Sequence, residues 1–219
     1  RVAYSPDGTR LATAAFDGTI KVWDALAGKE LLSLSTCFEA CQIADRPMNI
    51  TFSPDGRRVV AAGGLPPEPD PQGFPDPGYG FVKVWDAFTG RELLALRGGP
   101  GRDLGSIFGW VFGMAVSPDG TQLALGMEDG RVRLWDSQTG REMLVLNGHS
   151  GAAFDVAYSP DGRRLATVGS DRTARLWDAT TGQGLGTLGQ GLGTFAGRNG
   201  PFGTVAFSPD GSRLTIAGE

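Results

Sequence analysis

At 219 residues with 40% hydrophobic side chains, the chain is long enough to bury a sizeable core, and its 35 glycines and 14 prolines are interrupted throughout by apolar runs. That mixture fits many short strands joined by turns rather than disorder. The net charge of -4 comes from interspersed signs and forms no basic stripe, so the composition argues against a nucleic-acid partner. No apolar stretch approaches the roughly 18 residues of a membrane-spanning helix, so no membrane insertion is expected; the lack of a charged-then-apolar signal segment means little, because the sequence begins inside a repeat.

Self-similarity organises everything else. Ser-Pro-Asp-Gly stands at Ser5–Gly8, Ser53–Gly56, Ser117–Gly120, Ser159–Gly162 and Ser208–Gly211, and Trp-Asp follows at Trp23, Trp85, Trp135 and Trp177. The Ser-to-Trp spacing is 18 in three of these units and 32 in the second, and the undisturbed period is 42. Proline presets φ, aspartate bonds the backbone locally and glycine accepts positive φ, so Ser-Pro-Asp-Gly predicts a hairpin turn.

In chain order, the first unit alternates as Ile20-Lys21-Val22-Trp23 and then turns at Gly28, which predicts strands with one face more buried than the other. Cys37 and Cys41 follow. Two cysteines exclude a disulfide framework, and two ordinary thiols in a surface segment are preferred over a bridge closing a small loop. The second unit carries the long Leu65–Gly78 segment and turns at Gly90. The third runs through Val132-Arg133-Leu134-Trp135 to a turn at Gly140. The fourth reads as four strands, Ala153–Tyr158, Leu165–Gly169, Thr173–Trp177 and Leu185–Leu188, with a turn at Gly182, and two strands of a fifth unit close the chain.

A lone four-stranded unit buries only part of its apolar surface, so stability is expected to be shared between neighbours. With these motifs the units resemble WD40 repeats, and the resemblance covers nearly the whole chain apart from its insertions. It implies an all-β fold, a β-propeller of four-stranded antiparallel blades at about 2-35, 48-97, 110-147 and 153-188, with a partial blade at 202-217. WD40 rings commonly close with about seven blades, roughly 290 residues, so self-association or missing blades are expected to close the ring. The crisp repeats look like those of bacterial WD40 proteins.

The family's buried network of His, Ser or Thr, Asp and Trp falls on His149, Thr167, Asp171 and Trp177, and His149 is the only histidine. By the same offsets the first unit offers Thr13, Asp17 and Trp23 without a histidine. The third offers Asp129 and Trp135 with Leu125 at the hydroxyl position, and the second has Trp85 with Tyr79 where the aspartate belongs. Arg198 takes the histidine position of the fifth unit.

Extra residues fall after Trp23, between Ser53 and Trp85, after Trp85 and after Trp177. Antiparallel strands reverse at each turn, so all four insertions are expected on one face, where scaffolds place function. The partner-contact candidates there are Phe38, Glu39, Glu68, Asp70, Phe74, Asp76, Phe108, Trp110, Phe195 and Arg198, with prolines from Pro66 to Pro77 stiffening the second loop. The opposite face gathers Arg57, Arg58, Arg91, Arg141, Arg163 and Arg164, with Glu92 and Glu142 beside some of them, as a solvated rim of weak ion pairs.

His149, Asp171 and Ser170 or Thr167 also carry the residue types of a nucleophilic triad. The structural network is preferred, because buried groups lack substrate access. One histidine and two cysteines supply no metal set, and the recurrent Asp-Gly pairs lack calcium-loop spacing, so neither cofactor nor metal is expected. The function implied is a non-catalytic scaffold or recognition module that binds protein or peptide partners through the insertion face. A propeller hydrolase with an axial pocket, or a purely structural or sensory module of a larger signalling protein, is the alternative. The compartment stays open.

Overall fold

Each Ser-Pro-Asp-Gly segment closes its hairpin with its own side chains. In the computed structural model, which describes residues 1–37, 46–65, 79–98, 109–188 and 202–218, the Ser5 hydroxyl donates to Asp7 at 2.6 Å and accepts the Arg10 N–H at 2.9 Å. The same pair of bonds recurs at Ser53, Ser117, Ser159 and Ser208. Gly8 sits at φ 71°, a left-handed conformation that side chains resist, and donates its N–H to the Ser5 carbonyl. After Trp23, Trp85 and Trp177, the aspartate takes over the same work: Asp24 accepts the Leu26 and Ala27 N–H groups at 2.9 and 2.8 Å, and Asp86 and Asp178 do likewise in their turns.

These turns connect strands and, among the described residues, no helix. The first sheet is β1 (Val2–Tyr4), β2 (Arg10–Ala14), β3 (Thr19–Asp24) and β4 (Glu30–Ser35); the second is β5 (Arg46–Phe52), β6 (Arg58–Leu65), β7 (Tyr79–Asp86) and β8 (Glu92–Arg97). The third is β9 (Val111–Val116), β10 (Gln122–Met127), β11 (Val132–Asp136) and β12 (Glu142–Leu146). The fourth is β13 (Ala153–Tyr158), β14 (Arg164–Gly169), β15 (Ala174–Asp178) and β16 (Gly184–Leu188), and β17 (Phe202–Phe207) pairs with β18 (Leu214–Gly218). In every sheet consecutive strands are antiparallel neighbours, the arrangement of a propeller blade.

Register is marked at one recurrent place. The pairing of the third and fourth strands shifts by one residue between Val22 and Trp23, Val84 and Trp85, Leu134 and Trp135, and Leu176 and Trp177. The bulge sets the residue opposite each tryptophan: Glu30, Glu92, Glu142 and Gly184 respectively.

The chain divides into two compact units, Arg1–Val111 with Ser137–Gly140, and Phe112–Asp136 with Arg141–Glu219. In the first, Ala12, Ile20, Val22 and Leu34 of the first sheet pack on Ile50, Phe52, Val59, Ala61 and Trp85 of the second. In the second, Ala124, Val132, Leu134 and Leu146 meet Ala153, Val156, Leu165 and Trp177, and Ala166, Val168 and Ala174 pack against Val205. Each large side chain so buried contributes about 1.5–3 kcal/mol, and it does so between sheets, which is why a sheet depends on its neighbour. Close approach accompanies this packing: a Cβ on Gly113 would lie 2.7 Å from the Asp155 backbone, and one on Gly126 2.7 Å from the Ala153 carbonyl oxygen.

The cysteine reading is corrected. Cys37 is held in a disulfide rather than standing as a thiol. Cys41, the other cysteine of the sequence, lies outside the described residues.

Candidate functional site

The polar centre of the fourth sheet is assembled from three places in the sequence. Gly148-His149 leads into β13, Thr167 lies within β14, and Asp171 and Thr173 belong to the turn before β15, which carries Trp177. Glycine is needed for the approach: a Cβ on Gly148 would lie 2.7 Å from the Trp177 ring, and one on Gly169 2.8 Å from His149 Nδ1.

The wiring follows from which groups are able to donate. Asp171 only accepts, so His149 Nδ1–H donates to its two oxygens at 3.0 and 3.1 Å, and Nε2 is left to accept the Thr167 hydroxyl at 2.8 Å. The Thr167 oxygen in turn accepts the Trp177 indole N–H at 3.0 Å. Asp171 also takes the Ser150 N–H at 3.0 Å and the Thr173 hydroxyl at 2.8 Å. The His149, Thr167, Asp171 and Trp177 side chains of this network thereby all have partners, the condition under which a buried network is tolerated.

Burial pushes the His149 imidazole below its ordinary proton affinity, Arg175 works in the same direction, and the Asp171 carboxylate pulls back without reversing the result. For Asp171, burial alone works upward, but the bonds from His149, Ser150 and Thr173 outweigh it and hold the carboxyl below its usual range.

A pH dependence follows. The unfolded imidazole takes up its proton near 6.5 while the folded one still resists, so between the folded value and 6.5 the unfolded state binds more protons. The stabilisation is complete above 6.5 and declines as pH falls through that window. Urea unfolding of the intact chain is expected to show a lower midpoint at pH 5 than at pH 7.5, and His149→Gln is expected to flatten the decline. A variant with the same slope as the parent excludes His149 as its source.

Thr167 bonded to His149, itself bonded to Asp171, has the connectivity of a hydrolytic triad. Yet Thr167 is 0% exposed and its oxygen is occupied by Trp177, so no reacting carbonyl reaches it. His149 meets Thr167 and Thr173 rather than Ser170.

The other units hold smaller portions of this arrangement. In the first, Trp23 donates to Thr13 at 3.0 Å, while Asp17 caps its own turn by accepting the Thr19 N–H and hydroxyl. In the third, Leu125 offers no oxygen, and the Trp135 indole N–H is buried without an acceptor. Asp129 is approached by Arg131 at 3.4 Å and Arg133 at 3.8 Å in place of a histidine. In the second, Trp85 is buried at 3% exposure, and Tyr79 takes the Arg97 guanidinium both on its hydroxyl and over its ring, 4.0 Å from the centroid.

One recurrent constellation is absent from the motif reading. Lys21 pairs with Glu30 at 2.7 Å, Lys83 with Glu92 at 2.8 Å and Arg133 with Glu142 at 2.7 Å. Glu92 and Glu142 thus engage strand neighbours across the bulge rather than serving only the arginine rim. The signal was present in the sequence as a cation and a glutamate nine residues apart in three successive units. Of the rim arginines, Arg164 donates to the Gly211 carbonyl at 2.9 Å and lies over the Phe207 ring.

Within each sheet, the ends are unequal. The Ser-Pro-Asp-Gly and Trp-Asp turns share one end. The opposite end holds the link between the second and third strands and the exit of the fourth: Thr36 donates to the Gly18 carbonyl at 3.0 Å, and Gly98 to that of Gly80 at 3.0 Å. All the long segments depart from this second end. In the first sheet it also presents Phe16, 73% exposed, beside a mainly apolar recess of about 390 Å³ lined by Arg1, Ala14, Ala15, Phe16, Pro47 and Met48. Trp110 lies just ahead of β9 and is half-buried. Phe38, Glu39, Glu68, Asp70, Phe74, Asp76, Phe108, Phe195 and Arg198 lie outside the described residues.

Three stretches of the chain, residues 1–24, 101–136 and 140–178, match the family described as WD domain, G-beta repeat. Among curated proteins, the WD repeat and SOCS box-containing protein 1 of Xenopus tropicalis and that of Danio rerio are each 30% identical over 124 residues, and the Homo sapiens protein is 28% identical over the same length. Each alignment covers 56% of this chain and 23% of the relative, so the matched stretch spans under a quarter of those proteins.

Proposed function

We propose that this chain, three stretches of which match the WD domain, G-beta repeat family whose members generally act as protein-interaction scaffolds, is a non-catalytic recognition module that docks a protein or peptide on the sheet ends from which its long segments depart. The observation that carries this reading is the inequality of the two ends. One is closed by short turns whose serines and aspartates bond to one another; it holds a recess of about 450 Å³ beside Ser117, Asp119, Asp161 and Arg163 but carries no lengthened link. The other combines every lengthened link with the exposed Phe16 and its apolar recess. An exposed aromatic beside a concave apolar surface is the usual anchor of a protein interface.

The loop between β6 and β7 tests the proposal most directly. Leu65 pairs with Tyr79, so replacing residues 66–78 with Asn-Gly leaves the strands joined by a two-residue hairpin. We expect that variant to lose partner capture from the source cells without any fall in melting temperature, since a shorter loop costs less to close. Capture that persists with the loop removed refutes the assignment of this segment to the docking surface.

A further inference from the structure

The cation two residues before the Trp-Asp pair is matched by a glutamate in three sheets and by none in the fourth. Lys21, Lys83 and Arg133 each meet the glutamate that the bulge sets opposite the tryptophan. The fourth sheet keeps the cation as Arg175, but Gly184 stands opposite Trp177. No aspartate or glutamate occurs in the sequence between Asp178 and Asp210. The aspartates closest to it in sequence are already engaged, Asp171 by His149 and Asp178 by the Thr180 and Thr181 N–H groups at 2.9 and 2.7 Å. Among the described residues Arg175 makes no hydrogen bond or ion pair; its Nε is buried without an acceptor, as is that of Arg133, but Arg133 still reaches Glu142 through its other nitrogens and Arg175 reaches no carboxylate.

A partly desolvated guanidinium with no counter-charge is costly to maintain, and here the space for the missing group is open. A Cβ on Gly184 would meet nothing nearer than Trp177 Cζ3 at 4.0 Å, and one on Gly186 would meet nothing within 4 Å. Beside this gap stands Leu185, 50% exposed on β16, the last strand of its sheet. A planar guanidinium takes a carboxylate through two parallel N–H bonds, and an apolar neighbour favours an acidic residue flanked by apolar ones.

We propose that Arg175 is a docking point for the acidic side chain of a protein partner, which seats its carboxylate over Gly184 where Glu30, Glu92 and Glu142 stand in the other sheets. This rests on the reading of the chain as a protein-recognition module and adds the chemistry of one contact.

The test follows the Arg175 side-chain Nε–Hε resonance of the intact chain during titration with glutarate, with uncharged glutaramide, and with a Leu-Glu-Leu peptide capped at both ends. We expect a saturable shift with glutarate, none with glutaramide, and half-saturation by the peptide at a lower concentration than glutarate. Gly184→Glu, which supplies the carboxylate internally, is expected to abolish the response. An unmoved resonance, or an equal response in Gly184→Glu, overturns the site; equal affinity for glutarate and peptide overturns the protein partner as its occupant. Should Gly184→Glu fail to fold, Arg175→Gln replaces it, and glutarate binding by calorimetry that persists unchanged in that variant also overturns the site. The variant lacking residues 66–78 is expected to keep the Arg175 response, so failure of the loop assignment and failure of this one register separately.

Discussion

Thr167→Val is expected to lower the unfolding free energy by about 2–4 kcal/mol, because one lost oxygen orphans two buried groups and each such group costs roughly 1–3 kcal/mol. Valine keeps the branched shape, so little of the effect comes from a cavity. The Trp177 indole loses its acceptor and His149 Nε2 loses its donor. The third sheet supplies a natural comparison: with Leu125 at the hydroxyl position, its Trp135 N–H is already unpaired, yet there is no histidine to strand as well. Coupling distinguishes this account from simple loss of packing. In a double-mutant cycle with His149→Phe, the combined loss is expected to be smaller than the sum of the single losses, because the second substitution no longer breaks a bond. Strict additivity in denaturant unfolding contradicts it.

Gly63→Ala is expected to cost about 3 kcal/mol or more, or to prevent the second sheet from closing, because the added methyl meets backbone rather than flexible side chains. Its Cβ would stand 2.0 Å from the Arg46 carbonyl oxygen and 2.8 Å from the Met48 nitrogen. Relief therefore requires β5 to move as a strand, at the position where its register already shifts between Pro47 and Asn49. Gly186→Ala is the matched control, since nothing lies within 4 Å of its Cβ, and it is expected to leave the melting temperature unchanged or raise it slightly. If both variants melt together with the parent, the close approach at Gly63 is not a constraint on this fold.

Much of the architecture was legible because its punctuation is chemical. Ser5, Asp7 and Gly8 each do something local in the turn, so the motif predicts the hairpin without knowledge of any distant contact. The polar centre was legible for a different reason: the resemblance to WD40 repeats assigns His149, Thr167, Asp171 and Trp177 to one network, and the strand pairing makes them adjacent. The pairing of Lys21 with Glu30 was less visible. It depends on a one-residue bulge, and nothing in the alternation of Val22-Trp23 announces where a ladder slips. The contact of Arg97 with Tyr79 was hidden because thirteen residues intervene between Leu65 and Tyr79, so the motif offsets lose their meaning there. Gly63 looked like any strand glycine, and only the course of β5 alongside it reveals why a side chain is refused.

The nearest-neighbour order of the sheets also governs time. Each strand pairs with the one just before or after it, so nearly every hairpin closes over a handful of residues and forms quickly once its two halves exist. The β6–β7 pair is the exception, because its ends must find each other across thirteen residues where β2 and β3 are separated by four. Closure entropy grows only with the logarithm of length, and this difference amounts to about 1 kcal/mol, enough to slow that hairpin severalfold. The second sheet is then the last to assemble in its unit, and until it does, the apolar faces of Ile20, Val22 and Leu34 wait uncovered. The segment that lengthens the β6–β7 link thus also sets the interval during which the nascent chain is most exposed to association with another copy.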